Sequence, residues 1–292
     1  MKFLNAGKMV HANVLILSGD LTGKVFIPIV EDDGSWTADV LGTTRLAKTP
    51  DELSALEKDL RNAGYYFSRC TRDQLEKFRN EKDERERFFA ELINETDRRW
   101  VNMARERLRG TNIRYYMSPG NDDRFSIDEI LSSSDFAVNP EESVVKIDDC
   151  HEMITLGWSN ITPWNSSREC AEDELHQKIE RLTSKVERMT DCIFNLHCPP
   201  YNSHLDIAPK VEPGLQASPN MVPVGSVAVR QAIETHQPLL GLHGHIHESR
   251  GNVRIGRTLC FNPGSEYTEG IMRAYLINLD ENGVKSYQPI TG

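Results

Sequence analysis

The chain lacks any long run of apolar residues, and this absence excludes one large class of protein. No stretch of its 292 residues approaches the roughly 20 consecutive apolar residues that a membrane-spanning helix requires. The first residues, MKFLNAGKMVHANV, also lack the apolar segment of a secretory signal. We therefore expect a cytoplasmic protein that does not bind a membrane.

Closely spaced cysteine pairs are also missing. The six cysteines are scattered along the chain without a CxxC motif, so the sequence indicates neither a disulfide framework nor a zinc ribbon. We expect six free thiols, most of them packed in the interior.

Basic residues are fewer than acidic ones. The chain has 34 Lys and Arg against 44 Asp and Glu, which gives a formal net charge of -10. The overall field therefore repels extended nucleic acid, and we expect no such partner. A phosphorylated substrate would need a local positive centre in this protein.

Short apolar runs alternate with amphipathic segments along most of the chain. The run NVLILS at 13–18 is typical of a strand buried on both faces. Segment 24–110 differs, because it holds a β-ribbon around EDDGS, a helix in TPDELSALEKDLRNAG and one longer helix within 72–109. The alternation elsewhere predicts an α/β fold. We expect a single domain over 1–292, in which 24–110 contains a β-ribbon and helical insertion.

Four predicted strands end in the same way, with a polar cluster directly after an apolar run. The carboxyl ends of strands form the ligand-binding edge of an open α/β sheet, so these clusters should converge. Asp20, Asn121 and the three histidines of these clusters offer a carboxylate, an amide oxygen and three imidazoles, a ligand set that suits Mn, Fe or Zn. The clusters contain Asp20 in GDLTG, Asn121, Asp122 and Asp123 in PGNDD, His197 in NLHCPP, and His245 and His247 in GHIH.

The last cluster requires a bend in the backbone. Alternate residues of an extended strand point to opposite faces, so His245 and His247 would not reach one site from a straight segment. We expect the chain to turn at Gly244, whose missing side chain permits unusual backbone angles.

The order of these motifs, GD, GNDD, H and GHIH followed by NPGS, resembles the calcineurin-like metallophosphoesterase superfamily, and in particular its Icc-related phosphoesterases. The resemblance extends from Val14 to Ser265, apart from the insertion. It implies a two-sheet α/β sandwich that holds two divalent transition metal ions, Mn, Fe or Zn. The implied function is a phosphoric ester hydrolase, in which a metal-bridging hydroxide attacks a phosphomonoester or phosphodiester of a small molecule or nucleotide.

The resemblance also assigns roles to single residues. Asp20 would bridge the two metals, Asn121, His197 and His245 would complete one shell, and His247 would belong to the other. Asn121 would also bind the substrate. For His243, contact with the substrate, support of a neighbouring group and a mere position at the strand end remain alternatives.

One family motif is absent. The DxH motif of the family's first strand has no counterpart here, and MKFLNAGK resembles the second half of the helix that follows that strand. Only Asp20 and His247 then remain for one of the metals. Either the sequence is truncated upstream, or the protein is a non-catalytic protein-binding scaffold with a degenerate metal site. Truncation is favoured, because loss of a central strand would leave buried backbone groups unpaired at about 1–3 kcal/mol each.

A second departure concerns the catalytic candidate Asp122. Most family members have a histidine here, which is thought to protonate the leaving oxygen. An aspartate beside two cations stays charged and is a poor acid. We hypothesise that His243 or His204 substitutes for it, or that the leaving group needs no proton.

Overall fold

The computed structural model describes residues 1–23, 25–212 and 216–292. Its helices, in chain order, are α1 (Lys2–Met9), α2 (Pro50–Asn62), α3 (Arg72–Asn80), α4 (Lys82–Leu108), α5 (Ser126–Ser132), α6 (Glu172–Thr183) and α7 (Val227–His236). Its strands are β1 (Val14–Ser18), β2 (Phe26–Asp32), β3 (Ser35–Val40), β4 (Thr43–Ala47), β5 (Tyr66–Cys70), β6 (Arg114–Ser118), β7 (Val144–Lys146), β8 (Glu152–Leu156), β9 (Ser159–Asn160), β10 (Glu169–Cys170), β11 (Cys192–Leu196), β12 (Ile207–Glu212), β13 (Gln216–Pro223), β14 (Leu240–Leu242), β15 (Gly251–Ile255), β16 (Thr258–Asn262), β17 (Arg273–Asp280) and β18 (Gly283–Thr291).

The chain forms two compact units of mixed α/β structure, so the predicted fold class is confirmed at that level. The first unit contains 1–21, 101–266 and 271–292, and the second contains 22–100 and 267–270. Helix α4 contributes to both. The second unit overlaps the predicted insertion 24–110, while the assignment of a single domain to 1–292 stays a prediction.

A six-stranded sheet organises the first unit, with the strand order β15-β16-β14-β11-β8-β7. Its four inner strands run parallel, and the edge strands β7 and β15 are antiparallel to their neighbours. Helices α6 and α7 contribute to a core on one face, where Phe194, Ile179 and Ile233 are buried together. Because β11 is covered on both sides, all five of its residues are buried.

The other face of this sheet packs against β1, β6 and the β17–β18 hairpin. Met153, Ile193 and Phe261 from the sheet form one apolar cluster with Ile16 and Tyr275. Strands β1 and β6 are parallel, in a register from Val14–Arg114 to Ser18–Ser118. Their carboxyl ends and those of the inner sheet strands carry the candidate site.

Strand β1 is less buried than predicted. Leu15 is buried, but the other four residues of β1 are only half-buried. The prediction that this strand is buried on both faces was therefore wrong. The reason is its pairing: β1 pairs with β6 along one edge, and no other strand in the described ranges pairs with its second edge.

The second unit contains a four-stranded sheet with the order β4-β3-β2-β5. The predicted ribbon is the β2–β3 hairpin, whose turn residues Asp33 and Gly34 have φ angles of 46° and 76°. Strands β4 and β5 were not predicted. Helix α2 begins at Thr49, whose side chain accepts a hydrogen bond from the Glu52 amide. Its predicted apolar stripe, Leu53, Leu56 and Leu60, is buried in the core of this unit.

The prediction of a single helix within 72–109 was wrong, because this segment forms two helices, α3 and α4. Helices α3 and α4 are separated at Glu81, which has an extended backbone with φ -112° and ψ 94°. The break brings Phe78 and Phe88 into a stacked contact with ring centroids 4.6 Å apart. Ten residues of a continuous helix span about 15 Å, so this contact requires the chain to reverse.

The prediction for the cysteines is confirmed. All six thiols are free, and five of them are buried, with Cys150 half-buried. In the part of the chain that the structure describes, no helix has both the length and the apolar character needed to cross a bilayer.

Candidate metal centre

Four loops that follow parallel strands meet at one end of the first unit. Asp20 follows β1, Asn121 follows β6, His197 follows β11 and His245 follows β14. The Asp20 carboxylate and the imidazoles of His197 and His245 offer ligand atoms that all lie within 4.8 Å of one another. The structure therefore brings together side chains that are more than 200 residues apart in the sequence.

The amide oxygen of Asn121 lies at the centre of this group. It is 2.7 Å from Nδ1 of His245 and 3.0 Å from Nε2 of His197. The same Nε2 atom is 3.2 Å from Oδ2 of Asp20. Ligands at right angles around an ion with bonds of about 2.0–2.2 Å are about 2.8–3.1 Å apart, so these separations fit one transition metal ion.

Charge at the site also suits a cation. Burial acts to raise the pKa of the Asp20 carboxyl, but the neighbouring His197 and His245 outweigh it and hold the pKa well below its usual range. Burial lowers the pKa of His245 to about 3, and the nearby His197 adds to this effect. At neutral pH the site therefore offers the charged carboxylate of Asp20 and the neutral imidazole of His245, which are the forms that bind metals. Burial acts to lower the pKa of His197, but Asp20 outweighs it and raises this pKa, so a metal ion would displace a proton from that ring.

The backbone adopts unusual conformations at two ligand residues, and these conformations set the direction of their side chains. Asp20 and His245 have left-handed φ angles of 48° and 63°. The predicted bend in GHIH is therefore present, but it occurs at His245, and Gly244 is not in the left-handed region. Gly19, with φ of 86°, packs so closely on the His197 ring that an added Cβ would overlap it.

Two residues hold the ligand loops together: Asp123, which was predicted to converge with the other clusters but without this role, and Arg168, which was not predicted. The carboxylate of Asp123 is fully buried and accepts hydrogen bonds from the backbone amides of Leu21 at 3.0 Å and Gly120 at 2.7 Å. It thereby ties the Asp20 loop to the Asn121 loop. Arg168 is 1% exposed, donates its backbone amide to the Asn121 carbonyl at 3.0 Å and its guanidinium to the Asp123 carbonyl.

The NPGS motif supports the GHIH loop from below. Asn262 is fully buried, and its side-chain amide donates to the carbonyls of Gly244 and Ile246 at 3.3 and 2.9 Å, on either side of His245. Its side-chain oxygen accepts the Gly264 amide at 2.9 Å. Gly264 has φ of 68°, so the tight turn indicated by this motif is present.

Asp122 contacts both the metal group and a distant loop. Its backbone amide donates to Oδ1 of Asp20 at 3.1 Å, and its carboxylate accepts the Ser166 hydroxyl at 2.6 Å. The carboxylate therefore stands beside the metal group as a hydrogen-bond acceptor. The contact with Ser166 had no signal in the sequence, because it depends on how the loop after β9 folds back.

His243 and His247 are not members of this group, although His247 is close enough for its charge to act on His245. His247 is exposed and is not among the side chains that converge with Asp20. His243 is 6% exposed; its Nδ1 donates to the carbonyl of Leu196 at 2.8 Å, and burial lowers its pKa to about 4. Its substrate-binding role stays a prediction, and this burial favours a supporting position at the strand end. His204 is exposed.

Glu141 is a carboxyl group with an unusual pKa close to the Asn121 loop. Both of its oxygens accept the Gly157 amide at 2.9 Å, directly after β8. Burial raises its pKa from 4.5 to about 8, although Gly157 and Arg168 oppose the shift. The protonated form therefore stabilises the fold fully below pH 4.5, and this stabilisation is lost as the pH rises through 8.

The Glu141→Gln variant should accordingly be less sensitive to pH than the wild type. Between pH 5 and 8.5 the wild type should lose roughly 2–4 kcal/mol of unfolding free energy that the variant keeps, because glutamine carries no proton to lose. Urea unfolding at both pH values measures this difference. Glu142→Gln, at the exposed neighbouring position, is the control and should follow the wild type. Parallel behaviour of wild type and Glu141→Gln would refute the assignment.

Comparisons with known proteins give limited similarity. No family model matches the chain. The chain is 33% identical over 147 residues to the uncharacterised protein MJ1162 of Methanocaldococcus jannaschii, a match that covers 50% of this chain and 61% of that protein. The chain therefore matches less than two thirds of this relative's length.

Two solved structures align with much of the chain at low similarity. The protein TT1561 of Thermus thermophilus has a TM-score of 0.45 and 16% identity, covering 68% of this chain and 79% of that one. A second crystal structure has a TM-score of 0.43 and 14% identity, covering 82% and 90% of the two chains. Similarity to these two structures identifies neither the family nor the function of the chain.

Proposed function

We propose that this chain is a metal-dependent hydrolase of phosphoric esters. One observation carries the proposal: a carboxylate, an amide oxygen and two imidazoles from four strand ends converge at ligand spacing. The resemblance of these motifs to calcineurin-like metallophosphoesterases supports it. So does the layering of the first unit: helices pack on one face of the six-stranded sheet and further strands on the other, which fits the two-sheet α/β sandwich of that superfamily.

The proposed metals are two divalent transition metal ions, Mn, Fe or Zn. Asn121, His197 and His245 would hold one ion together with Asp20. The Asp20 carboxylate has two oxygens, and the second ion would share it with His247. When bound, such ions polarise phosphoryl oxygens and provide a water-derived nucleophile at neutral pH.

The chain's own residues would position the reactants. The backbone carbonyl of Asn121 accepts the Arg168 amide, which holds this loop in place, and the Asn121 side chain would orient a phosphoryl group. The Asp122 carboxylate accepts a hydrogen bond from the Ser166 hydroxyl. Its proposed role is therefore to orient the substrate, and the leaving group departs without a proton from this side chain.

The proposed substrate is a phosphorylated small molecule or nucleotide in the cytoplasm. The excess of acidic residues opposes the approach of an extended nucleic acid. A cation at the site would supply the local positive charge that the rest of the chain lacks.

One observation favours a second candidate function, a non-catalytic protein-binding scaffold. Only Asp20 and His247 are proposed for the second ion, and two residues would hold it weakly. A chain that binds one ion without hydrolysing any ester would fit this alternative.

Hydrolysis of phenyl phosphate and glycerol 2-phosphate tests the proposal. The purified chain should release phosphate only with added Mn²⁺, Fe²⁺ or Zn²⁺, and a chelator should abolish the release. Phenyl phosphate should be the better substrate, because its leaving oxygen needs no proton; equal rates would refute this role of Asp122. Binding of metal without hydrolysis of either ester would favour the scaffold.

A further inference from the structure

The loop of residues 161–168, here called the Trp164 loop, is fastened to the candidate metal centre. The Ser166 hydroxyl donates to Oδ1 of Asp122 at 2.6 Å, and the Arg168 amide donates to the carbonyl of Asn121 at 3.0 Å. Two residues of extended chain span at most about 7 Å and the Ser166 side chain adds about 2.4 Å, so the backbone of Trp164 lies within about 12 Å of the Asp122 carboxylate.

The Trp164 loop is also closed internally. The Glu169 carboxylate accepts hydrogen bonds from the Thr162 amide at 2.9 Å, the Thr162 hydroxyl at 2.5 Å and the Ser166 amide at 2.9 Å. The Trp164 amide donates to the Thr162 hydroxyl at 3.1 Å. These bonds fix the loop in one conformation, which suits a binding element more than a loose connection.

This fixed loop holds large apolar side chains out to solvent. Trp164 is 52% exposed and Ile161 is 68% exposed. Phe125, which lies two residues after Asp123, is 54% exposed, and the Arg168 guanidinium lies 4.5 Å from its ring centre. Exposed indole and phenyl rings on ordered loops beside a charged site provide surfaces on which a planar ring can stack.

We propose that Trp164, with Ile161 beside it, forms a subsite for a planar ring in the substrate. This inference rests on the proposed phosphoric ester hydrolase. The substrate would be an ester whose phosphoryl group binds at Asp20 and Asn121 and whose leaving group carries an aromatic ring, as in an aryl phosphate or a nucleotide. The chemistry that these substrates share is a planar ring on the leaving group.

The subsite agrees with the chemistry at Asp122. In the hydrolysis of an aryl phosphate, the oxygen of water forms the new bond to phosphorus, the water gives one proton to the solvent, and the ester P–O bond breaks. The aryl oxide leaves with the bonding electron pair and later takes a proton from bulk water. For an aryl phosphate, the ring held by Trp164 is thus part of a leaving group that does not require a proton from Asp122. The sugar alkoxide of a nucleotide would take its proton from water.

Kinetics of the metal-loaded chain test the subsite with phenyl phosphate, 5′-AMP and the ring-free glycerol 2-phosphate. Trp164→Ala should raise KM about 10-fold for the ring substrates, since loss of one stacking partner has effects of this size. KM for glycerol 2-phosphate should not change, and Trp164→Phe should restore most of the affinity. The control is Met9→Ala: Met9 is 80% exposed and lies before the amino end of β1, opposite Asp20. It should match the wild type.

Calorimetric binding of phenylphosphonate and methylphosphonate separates the subsite from the reaction. Phenylphosphonate should bind the wild type about 10-fold more tightly than Trp164→Ala, with no difference for methylphosphonate. If no ester is hydrolysed but this difference is found, the hydrolase proposal fails and the ring subsite is supported.

Three results would overturn the subsite. The first is an equal effect of Trp164→Ala on ring and ring-free substrates. The second is a preference for 5′-AMP or phenyl phosphate that is independent of Trp164. The third is a change in sedimentation coefficient in Trp164→Ala without a change in ring binding. This result would mean that the exposed Trp164 and Ile161 form a contact between copies of this chain.

Discussion

Replacing Asp20 with Asn should lower the affinity for divalent metal by more than about 100-fold and abolish metal-dependent hydrolysis, because even residues that only support a metal ligand contribute 10–100-fold. Asparagine keeps the size of the side chain, the Oδ1 atom that accepts the Asp122 amide and a tolerance for the left-handed φ of 48°. The fold should therefore remain, and the variant isolates the loss of the negative charge. Calorimetric titration with Mn²⁺ or Zn²⁺ measures the effect.

Asp33 offers a matched control for this substitution. It has a φ of 46°, nearly the same as that of Asp20, but it is exposed in the β2–β3 turn. Asp33→Asn should bind metal and hydrolyse esters as the wild type does. Undiminished turnover in Asp20→Asn would contradict the bridging role of Asp20.

Replacing Gly19 with Ala should damage the same site by a steric route. The added Cβ would overlap the His197 ring, which is buried and cannot move into solvent. Overpacking of this kind costs about 1–3 kcal/mol, and the left-handed φ of 86° adds about 1–2 kcal/mol for a residue with a side chain. We expect a loss of roughly 3 kcal/mol in unfolding free energy and a metal affinity at least about 10-fold weaker, because His197 is displaced.

Gly110 separates the two contributions in this prediction. Its φ of 76° is also left-handed, but an added Cβ would meet no atom within 4 Å. Gly110→Ala should therefore lose only the backbone contribution of about 1–2 kcal/mol and should keep its metal affinity. If both variants lose the same stability and both bind metal normally, the close contact between Gly19 and His197 has no part in the site.

The sequence was informative where function depends on a local pattern. Each of Asp20, Asn121, His197 and His245 follows an apolar run, and a run of that kind predicts a buried strand whose carboxyl end lies at the ligand-binding edge. The convergence of these four side chains could therefore be predicted without the structure.

The residues that hold the ligands in place could not be predicted in this way. Arg168 looks like any charged loop residue in the sequence, yet it is 1% exposed because its donors meet the Asp123 carbonyl and the Asp128 carboxylate. Ser166 reaches Asp122 only because the Trp164 loop folds back over the site. Such contacts arise from tertiary packing between distant segments, and they leave no periodic signal.

The backbone conformations at His245 and Glu81 also could not be predicted from the sequence pattern. Glycine is the residue expected in left-handed conformations, which led to a predicted bend at Gly244, but the left-handed residue is His245. The hydrogen bonds from Asn262 to the carbonyls of Gly244 and Ile246 stabilise that conformation. The break between α3 and α4 at Glu81 likewise has no proline or glycine to mark it, because aromatic packing of Phe78 on Phe88 determines it.

The most direct test of the account is an anomalous diffraction measurement on crystals grown with Mn²⁺ or Zn²⁺. The account predicts a metal peak at bonding distance, about 2.0–2.3 Å, from the Asp20 carboxylate, Oδ1 of Asn121 and the rings of His197 and His245. Absence of a peak among these four side chains at saturating metal would contradict it.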